Sequence, residues 1–165
     1  MYAMNYSVYL ETTIISYLAA RPSNNVIALA QQEVTYEWWT LERKHYDCYV
    51  SEFVWNEASQ GDSGAAEKRL SLLQGIPYLP VNDVVADLAS EIVSVCGIPQ
   101  RAVADAFHIA IAAVHGIDFL LTWNCTHIAN AVMQKRLQRL SEKRSVAIPI
   151  LCTPYELIGG NNVER

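Results

Sequence analysis

The sequence predicts a three-layer α/β/α domain built on a central, mostly parallel five-stranded sheet. Short apolar runs alternate with helix-like segments about five times, the rhythm of crossover connections that lay each strand parallel to the next. Those runs lack polar alternation, as strands covered by helices on both faces require. The chain has 165 residues, 52% of them apolar and 18% charged, enough for a single domain over residues 1–165 with its own core.

Each element follows from local pattern. Tyr6 to Leu10 alternates and is rich in strand formers, so it reads as the first strand. Thr12 to Ala20 has helical character and ends at Arg21-Pro22. A long helical pattern runs from Val26 to about Tyr46, with Trp38 and Trp39 among its apolar residues. Of that pair, one ring is expected in the core and the other at the surface. Cys48 to Val50 is the second strand, and Ser51 is a suitable N-cap for the segment through Glu57. After the break at Gly61 to Gly64 come a helix over Ala65–Leu73, a strand over Ile76–Val81, and a helix from Asp83 to Val95 capped by Asn82. An alanine-rich helix follows the Gly97-Ile-Pro99 turn and stops at His115-Gly116, a glycine C-cap. Phe119 to Thr122 is the fourth strand, and Asn124 is expected to begin a long helix reaching about Lys143. Ile148 to Leu151 closes the sheet at an edge, the place Pro149 allows, and Thr153-Pro154 opens a last helical turn.

Charge and cysteine usage narrow the function classes. A net charge of −5 excludes a broadly electropositive nucleic-acid-coating surface, though not one local site. The four cysteines form no CxxC pair and read as reduced thiols; Cys125-Thr-His127 lacks a second pair at zinc spacing. No basic region followed by a long apolar run opens the chain, and no stretch reaches the ~18 apolar residues of a membrane span. The expectation is a cytoplasmic protein with no membrane partner.

In parallel α/β sheets, ligands gather beyond the carboxyl ends of the strands. Glu11 follows the first strand, with Thr12 and Thr13 opening the next helix. Thr122-Trp-Asn124 occupies the same place after the fourth strand. Glu57 lies on the helix after the second, and Asp105 is expected about two turns into the alanine-rich helix. Converging carboxylates repel unless protons or a cation intervene, and an oxygen-rich set suits Mg2+ or Mn2+. Such an ion lowers the pKa of a bound water and stabilises charge on a phosphoryl oxygen.

Four segments carry a resemblance. Tyr9-Leu-Glu-Thr-Thr-Ile-Ile-Ser-Tyr-Leu18 resembles the opening of PIN domains, where an acid and a Thr follow the first strand. Val54-Trp-Asn-Glu57 is similar to their second acidic segment, and Ala102 to Ala110 to the helix bearing the third acid. Asp118 to Asn130 resembles the segment after the fourth strand. The resemblance implies a Mg2+- or Mn2+-dependent endoribonuclease of the VapC-type toxin-like kind, often a homodimer inhibited by a small antitoxin protein. By position, Glu11, Glu57 and Asp105 would be metal ligands, and Asn124 would take the fourth acidic position. The chain departs from the pattern in two places: the first acid is Glu11 where Asp is usual, and Asn124 brings no negative charge, so a second metal should bind weakly.

Structural readings stand beside these. Asn124 is a natural N-cap, a role compatible with facing the site. A lone Glu57 reads as a solvated helix residue, and Glu11 as a favourable charge at a helix start. Asp105 differs: among Ala102, Val103, Ala104, Ala106 and Phe107 a carboxylate is costly to bury without compensation. His108, one turn along, either orients a carboxylate or is a satisfied core histidine; His127 either meets phosphate or packs. Thr12, Thr13 and Thr122 offer hydroxyls for a phosphate or a bound water. Asp118 falls at the wrong end of the sheet. Lys135, Arg136, Arg139, Lys143 and Arg144 form a basic stripe that reads first as a solvated face and second as an RNA contact. A scaffold that keeps RNA or partner binding without efficient catalysis is the alternative function. A haloacid-dehalogenase-like phosphotransferase fits worse, since Glu11-Thr-Thr offers no aspartate nucleophile.

Overall fold

A computed structural model describes residues 5–159. β1 (Tyr6–Leu10), β2 (Tyr46–Ser51), β3 (Tyr78–Leu79), β4 (Phe119–Leu121) and β5 (Ile150–Cys152) form one sheet in the order β3-β2-β1-β4-β5. Every pairing is parallel, with Tyr6 opposite Tyr46, Val8 opposite Phe119, Val50 opposite Tyr78 and Phe119 opposite Ile150. The flanking helices are α1 (Thr12–Ala19), α2 (Val26–Glu37), α3 (Glu52–Ala58), α4 (Ser63–Leu73), α5 (Asp83–Cys96), α6 (Val103–Val114), α7 (Ala131–Arg144) and the short α8 (Pro154–Leu157). Helix α1 packs with α2, α3 and α4, and α5 with α6 and α7. This is the expected three-layer α/β/α architecture. No helix among the described residues is long and apolar enough to cross a membrane.

The central strand shows why the runs lacked alternation: Val8, Tyr9 and Leu10 are all fully buried, as are Leu120 and Leu121 beside them. From β1 the chain builds outward through β2 and β3 on one side, then returns to build β4 and β5 on the other. The switch point lies at the carboxyl ends of β1 and β4, where a crevice opens in folds of this kind.

Four boundaries differ from expectation, each for a local reason. The long second helix stops at Glu37, passes through a π-helical turn at Trp38–Glu42 and a 3-10 turn at Arg43–His45, and gives way to β2 already at Tyr46. Parallel pairing of Tyr46 with Tyr6 outweighs helical propensity there. Trp38 is fully buried, while Trp39 is half-buried beneath the Arg43 guanidinium, 4.0 Å from the ring centroid. Strand β3 has shrunk to two residues between Pro77 and Pro80, which lack the N–H a longer ladder needs. Ser51 occupies the N-cap position of α3, but its hydroxyl makes no cap and turns instead to Tyr9. Asn124 does not begin α7. Its carbonyl accepts from Ile128 and Ala129 N–H and closes a separate turn, and Asn130 caps α7 through Val132 and Met133 N–H.

Asn82 caps α5 as expected, accepting from Val85 N–H at 3.0 Å. Gly116 ends α6 at φ +65°, a conformation that glycine adopts without a Cβ penalty. Asp118, left out of the site, bonds the Ser7 amide and hydroxyl at 2.8 Å each and ties β4 to β1 at the amino ends of the strands. The basic stripe is partly structural: Arg136 donates to the Cys96 carbonyl and Arg144 pairs with Glu91, both on α5.

Candidate active site

Glu11 sits where β1 hands over to α1, 4% exposed. Its Oε2 accepts from the Thr13 hydroxyl at 2.5 Å, the Thr122 hydroxyl at 2.6 Å and the Thr13 amide at 3.2 Å. The same hydroxyls clamp the loop after β4: Thr13 Oγ1 accepts from Trp123 N–H and Thr122 Oγ1 from Asn124 N–H. One carboxylate oxygen therefore organises the ends of both strands flanking the switch point. Among the described residues Oε1 has no protein partner. The extra methylene of Glu relative to Asp lets this side chain cap α1 and still reach Thr122.

Glu57 reaches the same place from α3. Its Oε2 accepts from the Thr12 hydroxyl in a very short contact and meets His108 Nε2 at 3.0 Å. His108, on α6, is fully buried, and its Nδ1 lies 2.7 Å from the Tyr9 hydroxyl, which in turn lies 2.7 Å from Ser51 Oγ. Phe53 closes over the imidazole edge-on. Burial works against the charged form of each partner. The Glu57 hydrogen bond, with the charges of Glu11, Glu57 and Asp105, nonetheless holds His108 above its ordinary pKa. Conversely, the His108 bond and charge, with the Thr12 hydroxyl, outweigh desolvation and hold Glu57 below the usual carboxylate range. Burial also pushes the Tyr9 phenol well above its usual value, so it stays a neutral link.

Asp105 enters in the first turn of α6, nearer its start than expected because a 3-10 turn over Gln100–Ala102 precedes the helix. Its Oδ2 is 2.8 Å from His127 Nδ1. Oxygen or nitrogen donors of Glu11, Glu57 and His108 all lie within 4.8 Å of one another; Asp105 is not in this group, its Oδ2 bonding His127, though its charge acts on His108. Asn124 points elsewhere: its Oδ1 accepts from Thr126 and His127 N–H, so the carboxamide shapes the turn that carries His127. Thr12, Thr13 and Thr122 donate to the two glutamates and thereby set their orientation. Two carboxylates and an imidazole fit a divalent cation, since a pair of donors on one ion with bonds of ~2.1 Å is separated by at most ~4.2 Å.

Tyr9 and Ser51 are the residues that sequence reasoning missed. They lie 42 positions apart and read as ordinary strand residues, so only the pairing of β1 with β2 reveals the link. Thr35 is a similar case: its hydroxyl accepts from the Trp123 indole at 2.7 Å and fixes the loop wall beside Asn124.

The sequence pattern of the PIN domain matches residues 8–124, a span that includes Glu11, Glu57, Asp105 and Asn124. The chain belongs to the PIN-domain family. No curated protein matches it in sequence. Among solved structures, this PIN domain is similar to VapBC2 from Rickettsia felis bound to a DNA fragment from its promoter: 15% identity over 88% of this chain and 97% of that one, TM-score 0.54. It is likewise similar to VapBC-1 from nontypeable Haemophilus influenzae, with 14% identity over 90% of this chain and 98% of that one, TM-score 0.52. At these identities the likeness concerns the fold.

Proposed function

We propose that this PIN domain is a Mg2+- or Mn2+-dependent endoribonuclease hydrolysing RNA phosphodiester bonds, the toxin of a toxin–antitoxin pair. The observation that carries the reading is the meeting of Glu11, Glu57 and His108 donors within 4.8 Å, with Asp105 on the same helix as His108. These groups come from three segments, the β1–α1 junction, α3 and α6, at the one edge of a parallel sheet where ligands collect. A divalent ion there supplies a water of lowered pKa and stabilises charge on the phosphoryl oxygen. Glu11 and Glu57 would hold it, and Asp105 would add negative charge from α6. Thr13 and Thr122 fix Glu11 through Oε2, leaving Oε1 free for an ion, and Thr12 holds Glu57 through its Oε2. Asp105 orients His127 through Nδ1, leaving Nε2 to exchange a proton with the attacking water or the leaving oxygen.

An antitoxin partner is supported by the VapBC complexes of similar fold, and a homodimer and a cytoplasmic setting accompany the same reading. The test is cleavage of a structured RNA by metal-stripped protein on addition of Mn2+ or Mg2+. Glu11→Gln, Glu57→Gln and Asp105→Asn are each expected to lower the rate by roughly a hundredfold or more. Unchanged cleavage in these variants refutes the assignment.

One observation favours a second reading, a binding module with weakened catalysis: the fourth acidic position is Asn124, whose oxygen is committed to the turn. RNA retention without metal-stimulated cleavage would select it. Under the nuclease reading, Asn124→Asp tightens metal binding only if that position faces the ion, and unchanged Mn2+ affinity would leave Asn124 as a turn residue.

A further inference from the structure

His108 does more at this site than complete a core. Asn124 offers its oxygen to backbone N–H groups and Asp105 is drawn toward His127, so the donors nearest one another are two carboxylates and an imidazole. We infer that His108 Nε2 is itself a metal ligand, making this a mixed oxygen–nitrogen centre selective for a first-row transition ion such as manganese over magnesium. The inference rests on the reading of the site as a divalent-metal centre and adds its ligand chemistry.

The far side of the ring carries the argument. Nδ1 lies 2.7 Å from the Tyr9 hydroxyl, and that hydroxyl 2.7 Å from Ser51 Oγ, a relay leading away from the carboxylates into the sheet. In the metal-free chain Nε2–H is directed at the Glu57 carboxylate; an ion at Nε2 would take that proton's place, and Nδ1–H would then donate to Tyr9 and Tyr9 O–H to Ser51. Metal-bound imidazoles are held in this manner, by an oxygen partner on the second nitrogen. All three residues of the relay are buried, so the ring has one available orientation. The near side agrees. Nε2 and Glu57 Oε2 are 3.0 Å apart in a hydrogen bond, so an ion would replace a proton between two groups that the fold already holds together. The Glu57 side chain, 36% exposed, leaves the path from solvent open. Magnesium takes oxygen ligands and keeps its waters, whereas nitrogen donors raise affinity along the transition series, so His108 biases the choice of ion.

The test is electron spin-echo envelope modulation on the full chain loaded with Mn2+. A directly coordinated 14N is expected, converting to a 15N pattern when histidine is 15N-labelled, a readout that needs no variant. In His108→Gln the modulation disappears and Mn2+ affinity, read from the signal of free Mn2+, falls roughly a hundredfold, while Mg2+ affinity by competition changes less than about threefold. Tyr9→Phe keeps the nitrogen signal and weakens Mn2+ about tenfold. Bound Mn2+ with no nitrogen coupling and no loss of affinity in His108→Gln overturns the proposal and makes His108 a positioning residue for Glu57. Failure of the wild-type chain to bind Mn2+ at all overturns the metal-centre reading beneath it.

Discussion

Single atoms decide most of the site. Glu11 Oε2 takes three donors, and Thr122, fully buried, both donates to it and accepts from Asn124 N–H. Thr122→Val keeps the shape, removes the donor and leaves a backbone N–H without its acceptor. Unsatisfied buried groups cost about 1–3 kcal/mol each. The variant is expected to lose stability in that range by urea denaturation, and to lose metal affinity with it. The His108–Glu57 pair gives a pH signature in metal-free protein. His108 is raised above 6.5 in the fold, so its contribution is complete below pH 6.5 and fades as pH climbs through the raised value. Glu57 is lowered below 4.5, so its contribution is complete above pH 4.5 and fades as pH drops through the lowered value. The stability difference between wild type and His108→Gln, measured with chelator present, is therefore expected to be greatest between pH 4.5 and 6.5. A flat difference would show that the pair is not ionised in the fold.

At the scale of elements, two asparagines six residues apart do different work. Asn130 caps α7, and Asn124 closes the turn before it. Either change to Ala is expected to cost about 1 kcal/mol in thermal or chemical unfolding. Only Asn124→Ala should also depress cleavage, because the turn presents His127 to Asp105. From the sequence, Asn124 alone looked like the helix start. Both are good caps on local pattern, and what separates them is that the loop after β4 is already tied down by Thr13 and Thr122. A similar override shortened the second helix. The Trp38–Glu42 stretch has helical pattern, yet β2 must begin at Tyr46 to pair with β1, and the π-helical and 3-10 turns absorb the mismatch.

Over the whole molecule, metal binding and folding are linked. An ion that binds the native state alone at a hundred times its dissociation constant adds about 2.7 kcal/mol of stability, several degrees in melting temperature for a chain of this size. Mn2+ is expected to produce that shift in wild type and not in Glu57→Gln, by calorimetry. Thiol chemistry maps the core independently: burial pushes Cys152 up to about 12, while Cys125 is exposed. A disulfide reagent at neutral pH should modify Cys125 rapidly and leave Cys152 unreacted until unfolding.

The order of strands and helices along the chain, and the elements that carry Glu11, Glu57 and Asp105, follow from sequence alone. Hydrophobic period and capping chemistry act over a few residues, and parallel α/β topology converts them into a shared edge. Tertiary structure alone decided which donors meet. His108 joined Glu11 and Glu57, Asp105 went to His127, and Tyr9 with Ser51 anchored the ring. Such choices depend on strand register and side-chain direction at ångström scale, and residues 22 to 111 positions apart carry no mutual signal in one chain until the fold brings them together.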